Sequence, residues 1–435
     1  MNAPRTRSVP GALGVLIDGT ELVRGLAVFG MHPVERLVRG LLDAELSLRE
    51  VCVALPEDMP EPSLPASLVR VAHVRFEHAR RTGIEHLETL LASGDPVLYV
   101  QADAIVDTRL LAHVGSAAEP LTFGGGEGAQ RGVMARFDSG LRGNFRDSGR
   151  GVADAIQAAI AAGELGELAE DEFAGYITML RRELAPYLFR LRHAAECHAA
   201  ERFLFWSNYK GSTDFLTRYV YPPLVWAMVR PLARWRVHPN WVTAVDIVAT
   251  FGAVPLFMAG AWLPALFLAY LMSILDSVDG KLARVTFTSS KLGEVLDHGL
   301  DIVHPPIWYL AWGYALAGGT TSARPYDAAL GMLGLYVVDR VIAGIFKARF
   351  GRSIHGYTPF DERMRTFISR RNVNLAFFTV ALGVDAIASP EGWPVATGCL
   401  YAIVVWQAFC LVFHLQRLMH FWGDVGAGGG MHSTR

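Results

Sequence analysis

Four aspartates within 26 positions, Asp276, Asp279, Asp297 and Asp301, interrupt an otherwise strongly apolar stretch of chain. Upstream runs FMAGAWLPALFLAYLMSIL and downstream IVHPPIWYLAWGYALAG. A carboxylate at the centre of a bilayer costs roughly 2.5–3.5 kcal/mol. Four of them at the ends of membrane helices need a compensating partner, and a divalent cation is the obvious one. The spacing adds geometry. Asp276 and Asp279 lie three apart and Asp297 and Asp301 four apart, so on a helix each pair shares a face. Gly293, Asp297 and Asp301 form one stripe, and Gly280 and Arg284 form another beside the first pair. The short polar segment VTFTSSK suits a tight helix–helix connection. Two antiparallel helices would then gather the four carboxylates near one membrane surface. Hard oxygen ligands suit Mg²⁺, Mn²⁺ or Ca²⁺, and four carboxylates could hold two ions about 3.5–4 Å apart. Gly280, Ala283 and Gly293 are small enough to let a ligand or a backbone come close, and Arg284 offers a guanidinium fork for phosphate.

Written out, the stretch reads D-x-x-D-G-x-x-A-R, eight further residues, then G-x-x-x-D-x-x-x-D. It resembles the signature of the CDP-alcohol phosphotransferase family, with every defining position filled. The resemblance implies that Asp276, Asp279 and Asp297 are metal ligands, with Asp276 and Asp297 bridging two Mg²⁺ or Mn²⁺ ions. Asp301 would complete the second site and act as catalytic general base on the acceptor hydroxyl. Gly280, Ala283, Arg284 and Gly293 would line the pocket for the CDP moiety. The implied reaction is attack of an alcohol on the β-phosphorus of a CDP-alcohol, with CMP leaving, and the implied assembly is a homodimer. Pro239, Asn240 and Thr243, as P-N-x-x-T, also fit the family, although Asn and Thr are equally good residues for opening a helix.

The rest of the chain divides by composition. Its 435 residues are 51% hydrophobic with a mean hydropathy of +0.26, yet roughly the first two hundred look soluble. A net charge of −2 gives no global basic field for nucleic acid. Cys52, Cys197, Cys399 and Cys410 are scattered with no C-x-x-C pair, so neither zinc nor a redox dithiol is suggested. The opening MNAPRTRSVPGALGVLIDG has only a brief apolar run and no convincing cleavage signal, so the amino-terminal part is expected to stay in the cytosol. Three segments are expected: an α/β domain at 1–145, a charged helical connector at 146–208 and a membrane domain at 209–425. In the first, GALGVLID, EVCVALP and PVLYVQAD read as strands and VERLVRGLLDAEL as a helix, suggesting a parallel sheet with crossover helices. This region resembles sugar-phosphate nucleotidyltransferases, with Asp103 where they carry a metal-binding Asp. LIDGTELVRGL stands in place of their glycine-rich loop, and Met31, His32 and Pro33 stand where a Pro-Lys pair belongs. The domain is therefore read as degenerate and non-catalytic. Gly124, Gly125, Gly126 and Gly128 have no Lys-Ser/Thr after them and read as a surface loop.

Six spans are expected at 240–259, 262–284, 292–318, 327–348, 373–388 and 393–417, preceded by an interfacial helix in KGSTDFLTRYVYPPLVWAMVRPLARWRV. Basic connections (Lys281, Arg284 and Lys291; then Lys347, Arg349, Arg352, Arg363, Arg365, Arg370 and Arg371) set the aspartates and both termini on the cytoplasmic side of the inner membrane. Arg349, Arg352, Arg370 and Arg371 could hold an anionic acceptor such as a polyol phosphate, or equally serve topology or anionic lipid. Lys210 and Asp214 could approach the nucleotide but read first as surface charges, Asp339 and Arg340 as a structural ion pair or pocket lining, and His298 and His304 as residues that support the ligands or pack around the cluster. The fold class is thus a polytopic α-helical membrane domain, six transmembrane helices plus an interfacial one, behind a soluble α/β domain. The expected function is transfer of a substituted phosphate from a CDP-alcohol to an alcohol or polyol-phosphate acceptor among membrane lipids, in phospholipid biosynthesis. The alternatives are a CDP-polyol (inositol-type) phosphotransferase and, from a different class, a divalent-cation transporter. The spans after the cluster carry few polar residues on the far side, which speaks against transport.

Overall fold

The computed structural model describes residues 12–78, 83–141, 151–173, 175–177, 180, 182–211, 213–289, 291–351, 353–356, 358–388 and 392–426, with the side chains at 291, 292, 294, 296–298, 359 and 423–426 outside that description. The chain forms two units. The first comprises Met1–Tyr176, Glu183–Ser207 and Val285–Phe287, and the second Ile177–Arg182, Asn208–Arg284 and Thr288–Arg435.

The first unit is α/β. Its strands are β1 (Leu13–Asp18), β2 (Leu48–Leu55), β3 (Val74–His78), β4 (Val97–Gln101), β5 (Ala104–Val106), β6 (Leu121–Gly125), β7 (Gly132–Phe137) and β8 (Gly166–Glu167). Its helices are α1 (Pro33–Asp43), α2 (Ala66–Val71), α3 (Gly83–Leu91), α4 (Thr108–Gly115), α5 (Val152–Ala161) and α6 (Cys197–Ser207). The central sheet runs β3-β2-β1-β4-β7-β6-β8. β1, β2, β3 and β4 pair in parallel, and the apolar run of β1 is buried on both faces, as a parallel strand requires. The sheet is nevertheless mixed, because β7 is antiparallel to both β4 and β6. Only a short connection separates β6 from β7, and a parallel pairing would need a crossover of a dozen residues or more. Gly124 and Gly125 are therefore strand residues rather than loop, while Gly126 and Gly128 turn the chain with φ of 79° and 52°.

The helical reading of 146–208 holds only at its ends, in α5 and α6. Between them the described chain passes through β8 and other short strands, of which Leu188–Arg190 pairs antiparallel with β5. Pro186 supplies no N–H for a continuous helix, and Leu188 gains more as a buried strand residue, 1% exposed, than on a solvated helix.

The second unit is helical: α7 (Pro222–Arg234), α8 (Pro239–Met258), α9 (Trp262–Thr286), α10 (Lys291–Leu316), α11 (Arg324–Phe350), α12 (Pro359–Phe367), α13 (Arg371–Ala388) and α14 (Pro394–Gly426). Among the described residues four of these, α8, α9, α11 and α14, are long and apolar enough to cross a membrane. α10 and α13 fall on the remaining expected spans. Leu263, Val248, Ile387 and Val405 are each at least 70% exposed, an outer surface made for lipid rather than water. Inside, Trp312 stacks on Phe378 at 4.2 Å, and Phe257 meets both Trp308 and Trp312 edge-on. Lipid tails are as apolar as these side chains, so packing and interhelical hydrogen bonds decide how such helices associate.

Candidate active site

Pro239 opens α8 at a position where a missing N–H leaves nothing unsatisfied, and His238 caps the helix by accepting the Asn240 N–H on Nδ1 at 3.2 Å. One turn on, the Thr243 hydroxyl donates to Asp279 Oδ2 at 2.8 Å, joining α8 to α9. Asp279 is 5% exposed, and its Oδ1 accepts the Gly280 N–H at 2.6 Å. Asp276 lies one turn back along α9, where Arg371 from the first turn of α13 meets it, Nη2 donating to Oδ2 at 2.9 Å. Nη1 of the same guanidinium donates to Asp301 Oδ1 on α10 at 3.0 Å and to His304 Nε2 at 3.1 Å. Its Nε donates to Asn372 Oδ1 at 3.1 Å. His304 Nδ1 lies 2.6 Å from the Leu300 carbonyl, so that nitrogen carries the hydrogen and Nε2 is free to accept. Tyr336 of α11 donates to the Ile302 carbonyl at 3.0 Å and steadies this part of α10. One cation therefore draws together two signature carboxylates from separate helices.

Asp246 is a site residue that the sequence pattern does not single out. It lies three residues after Thr243, on the same face of α8, and is 3% exposed. Its Oδ1 is buried with no hydrogen-bond partner, and its charged neighbours are Asp276, Arg371, Asp279 and Asp301. A lone Asp in an apolar run carries no spacing signal. Its one cue was the cost of burying an ionisable group in a span. Asp214, read as a surface charge, is 9% exposed instead; it accepts from the Thr217 N–H at 3.1 Å and from Asn372 Nδ2 at 3.2 Å, because the turn before α7 needs a buried cap.

Gly280 leaves room for Arg284 to fold back: a Cβ there would stand 3.3 Å from Arg284 Nη1. Ala283 and Gly293 are half-buried on the two signature helices. Asp297 is in α10, but its side chain lies outside the described residues, as do the side chain of His298 and the whole of Arg352. Arg349 is exposed, over the Phe350 ring at 5.7 Å, and Arg370 is half-buried. Arg371, grouped with them on sequence grounds, has its fork committed to the carboxylates. Asp339 pairs with Arg340 at 3.0 Å and also binds His414 of α14. The described acids at the centre, Asp246, Asp276, Asp279 and Asp301, outnumber the Arg371 and Arg284 guanidinium groups that act on them, and one buried carboxylate oxygen is unsatisfied. That set fits a hard divalent cation.

In the first unit the carboxyl ends of β1 and β4, where ligands bind in open α/β sheets, are occupied by the protein's own side chains. Arg190 Nε donates to Asp103 Oδ1 at 2.7 Å, and Arg190 and Arg192 both reach Glu21 at 3.2 Å. Burial alone would raise the Glu21 carboxyl; the Arg192 and Arg190 guanidinium groups override it and hold it below the ordinary value. Tyr99 donates to Asp18 Oδ2 at 3.0 Å. A Cβ on Gly83 would stand 2.3 Å from that same oxygen, so the approach of α3 to β1 requires glycine.

Comparison with known proteins bears on the second unit. The family model for CDP-alcohol phosphatidyltransferase matches residues 236–423. An uncharacterized CDP-alcohol phosphatidyltransferase class-I family protein of Schizosaccharomyces pombe is 29% identical over 115 residues, 22% of this chain and 29% of that protein. The bifunctional IPC transferase and DIPP synthase of Thermococcus kodakarensis is 32% identical over 139 residues, 28% of this chain and 32% of that protein. The chain thus spans about a third or less of the length of these curated relatives. Among solved structures, the phosphatidylinositol phosphate synthase of Mycobacterium tuberculosis with CDP-DAG bound is 20% identical, with a TM-score of 0.37, covering 45% of this chain and 94% of that one. Residues 236–423, which hold the whole aspartate signature, thus match the CDP-alcohol phosphatidyltransferase family model, over somewhat less than half of the chain.

Proposed function

We propose that this is a multi-pass membrane enzyme that transfers a substituted phosphate from a CDP-alcohol to an acceptor hydroxyl, releasing CMP, in phospholipid biosynthesis. The observation that carries the reading is the convergence of Asp276 and Asp301, from two helices, on one guanidinium beside the buried Asp279. Asp276, Asp279, Asp297 and Asp301 would hold two Mg²⁺ or Mn²⁺ ions, whose chemistry is to neutralise the pyrophosphate and stabilise the departing CMP. The chain's own groups do the rest. Asp301 is the one described signature carboxylate that is substantially open, 48% exposed, and so can meet an incoming hydroxyl. The acceptor oxygen forms a bond to the β-phosphorus, the bond from that phosphorus to the CMP oxygen breaks, and the hydroxyl proton passes to Asp301. Arg371, held in turn by His304, orients Asp301 and Asp276 through fixed hydrogen bonds. Gly280, Ala283, Arg284 and Gly293 would face the CDP moiety, and Arg349, Arg352 and Arg370 an anionic acceptor. Six spans, a cytoplasmic site, a two-ion centre and a homodimer belong to the same proposal.

The first unit is proposed to be a non-catalytic relative of nucleotidyltransferases, since Arg190 occupies the carboxylate of Asp103. Fusion of an α/β unit to the membrane unit favours the CDP-polyol reading, because one chain could then make and use the donor. The Arg190–Asp103 pair weighs against it. The test is direct: purified protein with Mg²⁺ or Mn²⁺ and a panel of CDP-alcohols should release CMP. Silence across CDP-diacylglycerol and CDP-polyols, with any acceptor, would remove the reading.

A further inference from the structure

We propose that Asp246 is a fifth carboxylate of the metal site, a residue outside the aspartate signature that positions the divalent cation held at Asp276. The inference rests on the metal reading above and deepens it.

Helix register brings Asp246 to the site. α8 and α9 are joined by a three-residue connection, Ala259 to Ala261, and so run antiparallel. Thr243 on α8 is level with Asp279 on α9, as their 2.8 Å hydrogen bond shows. Three residues further along α8 is Asp246, and three residues back along α9 is Asp276. Residues three apart on a helix share a face, so Asp246 stands against Asp276 one turn beyond the Thr243–Asp279 bond. Asp276 is the first of the charged groups acting on Asp246, followed by Arg371, Asp279 and Asp301.

The hydrogen bonds of Asp246 then distinguish it from the buried structural acids. Asp385, a buried carboxylate that caps a helix, has both oxygens filled, by the Val395 and Ala396 N–H groups at 3.0 and 2.7 Å, and Asp103, whose Oδ2 is unfilled, still has a guanidinium on its Oδ1. Asp246 is comparably buried at 3%, yet its Oδ1 has no partner. The nearby cation does not supply one. The nitrogens of Arg371 donate to Asp276, to Asp301 with His304, and to Asn372. An oxygen left unsatisfied there, among other carboxylates, costs free energy unless a cation comes to it. Hard divalent ions prefer such oxygens.

The experiment uses full-length protein in detergent and reads Mn²⁺ binding by electron paramagnetic resonance, with thermal unfolding in EDTA as the second measurement. Asp246→Asn keeps shape and removes charge. It should weaken Mn²⁺ binding by about tenfold or more, as loss of groups that support a metal site does, and should shrink the rise in unfolding midpoint that Mn²⁺ produces. Its midpoint in EDTA should equal or exceed that of the unaltered protein, since a buried carboxyl beside other acids has been replaced by a neutral amide of the same shape. Unchanged Mn²⁺ affinity would overturn the assignment for Asp246 alone. A lower midpoint in EDTA would mark Asp246 as structural and overturn it too. If the unaltered protein bound no Mn²⁺, the metal reading itself would fall and this inference with it.

Discussion

Replacing Arg371 by Gln tests the centre of the site as a charge assembly. The guanidinium is 11% exposed and makes charge-assisted bonds of 2.9 Å to Asp276, 21% exposed, and 3.0 Å to Asp301, 48% exposed. The Asp276 arm is mostly shielded from water and should contribute about 2 kcal/mol, in the range for hydrogen bonds to charged groups. The Asp301 arm is open to solvent and is discounted to about 0.5–1 kcal/mol. Removing both leaves Asp246, Asp276 and Asp279 facing one another without this fixed cation, so the total loss should approach about 3 kcal/mol. For a domain of this size 1 kcal/mol shifts the midpoint by roughly 2–4 °C. Arg371→Gln should therefore unfold ~6–12 °C below the unaltered protein in EDTA, and Arg371→Lys, a point charge that cannot span both acids, about half as far below. Differential scanning in detergent measures this. Saturating Mn²⁺ should return much of the loss, because the ion supplies the positive charge the variant lacks. An Arg371→Gln protein as stable as the parent in EDTA, or one whose deficit Mn²⁺ leaves untouched, would refute the account of how the site is held.

Further outcomes follow from single contacts. Asp301→Asn should lower CMP release by about 10²–10⁴-fold, the usual contribution of a general base, with a thermal midpoint only about 1–4 °C lower from the weakened Arg371 pair; wild-type turnover would remove it from that role. Thr243→Val deletes the 2.8 Å bond to Asp279 and should weaken Mn²⁺ binding about tenfold, measured by the same resonance titration. In the first unit the depressed Glu21 carboxyl sets the sign of a pH effect. Its contribution is present above its ordinary value of 4.5 and is lost as pH falls through its lower folded value, so Glu21→Gln should flatten the acid limb of the unfolding profile. CTP with Mg²⁺ should show no micromolar binding to the unaltered protein by calorimetry, and binding there would refute the non-catalytic reading of this unit.

Hydropathy and spacing made the second unit legible, because a helix in lipid must satisfy its own backbone and so announces its length in the sequence. Helices α8 to α11 and α13 fall within a few residues of the spans read from apolar runs, and α14 starts at the expected place but runs nine residues past the expected end at 417. What failed was the region between α5 and α6, where charged, helix-favouring residues masked a strand fixed by its distant partner β5. The aspartate pairs were readable because helical periodicity is local. The role of Arg371 was not, since it reaches Asp276 and Asp301 across 95 and 70 residues. Asp246 escaped for the same reason: α8 shows only an ionisable group in an apolar span, and its meaning comes from α9.

The polar residues of the second unit also specify how its helices pack. Apolar faces do not discriminate between neighbours when lipid is the competitor. Bonds that do discriminate stand at separate levels of the bundle. At the aspartate level, Thr243 fixes α8 on α9, and Arg371 fixes α13 on α9 and α10. Deeper, Asn374 donates to the Tyr309 hydroxyl at 2.9 Å, and Tyr270 meets Thr379 at 2.9 Å. At the other end of α13, buried Asp385 receives the first N–H groups of α14, answering the positive end of that helix. α13 is thus pinned along its length, and Arg371 sits at one end of a helix that cannot readily slide or turn. A guanidinium so placed can hold two carboxylates at fixed separation without their own backbone being strained. The groups proposed to do the chemistry are therefore also among those that set the register of the fold, and substitution of Arg371 should loosen α13 against α9 and α10 together with the metal site.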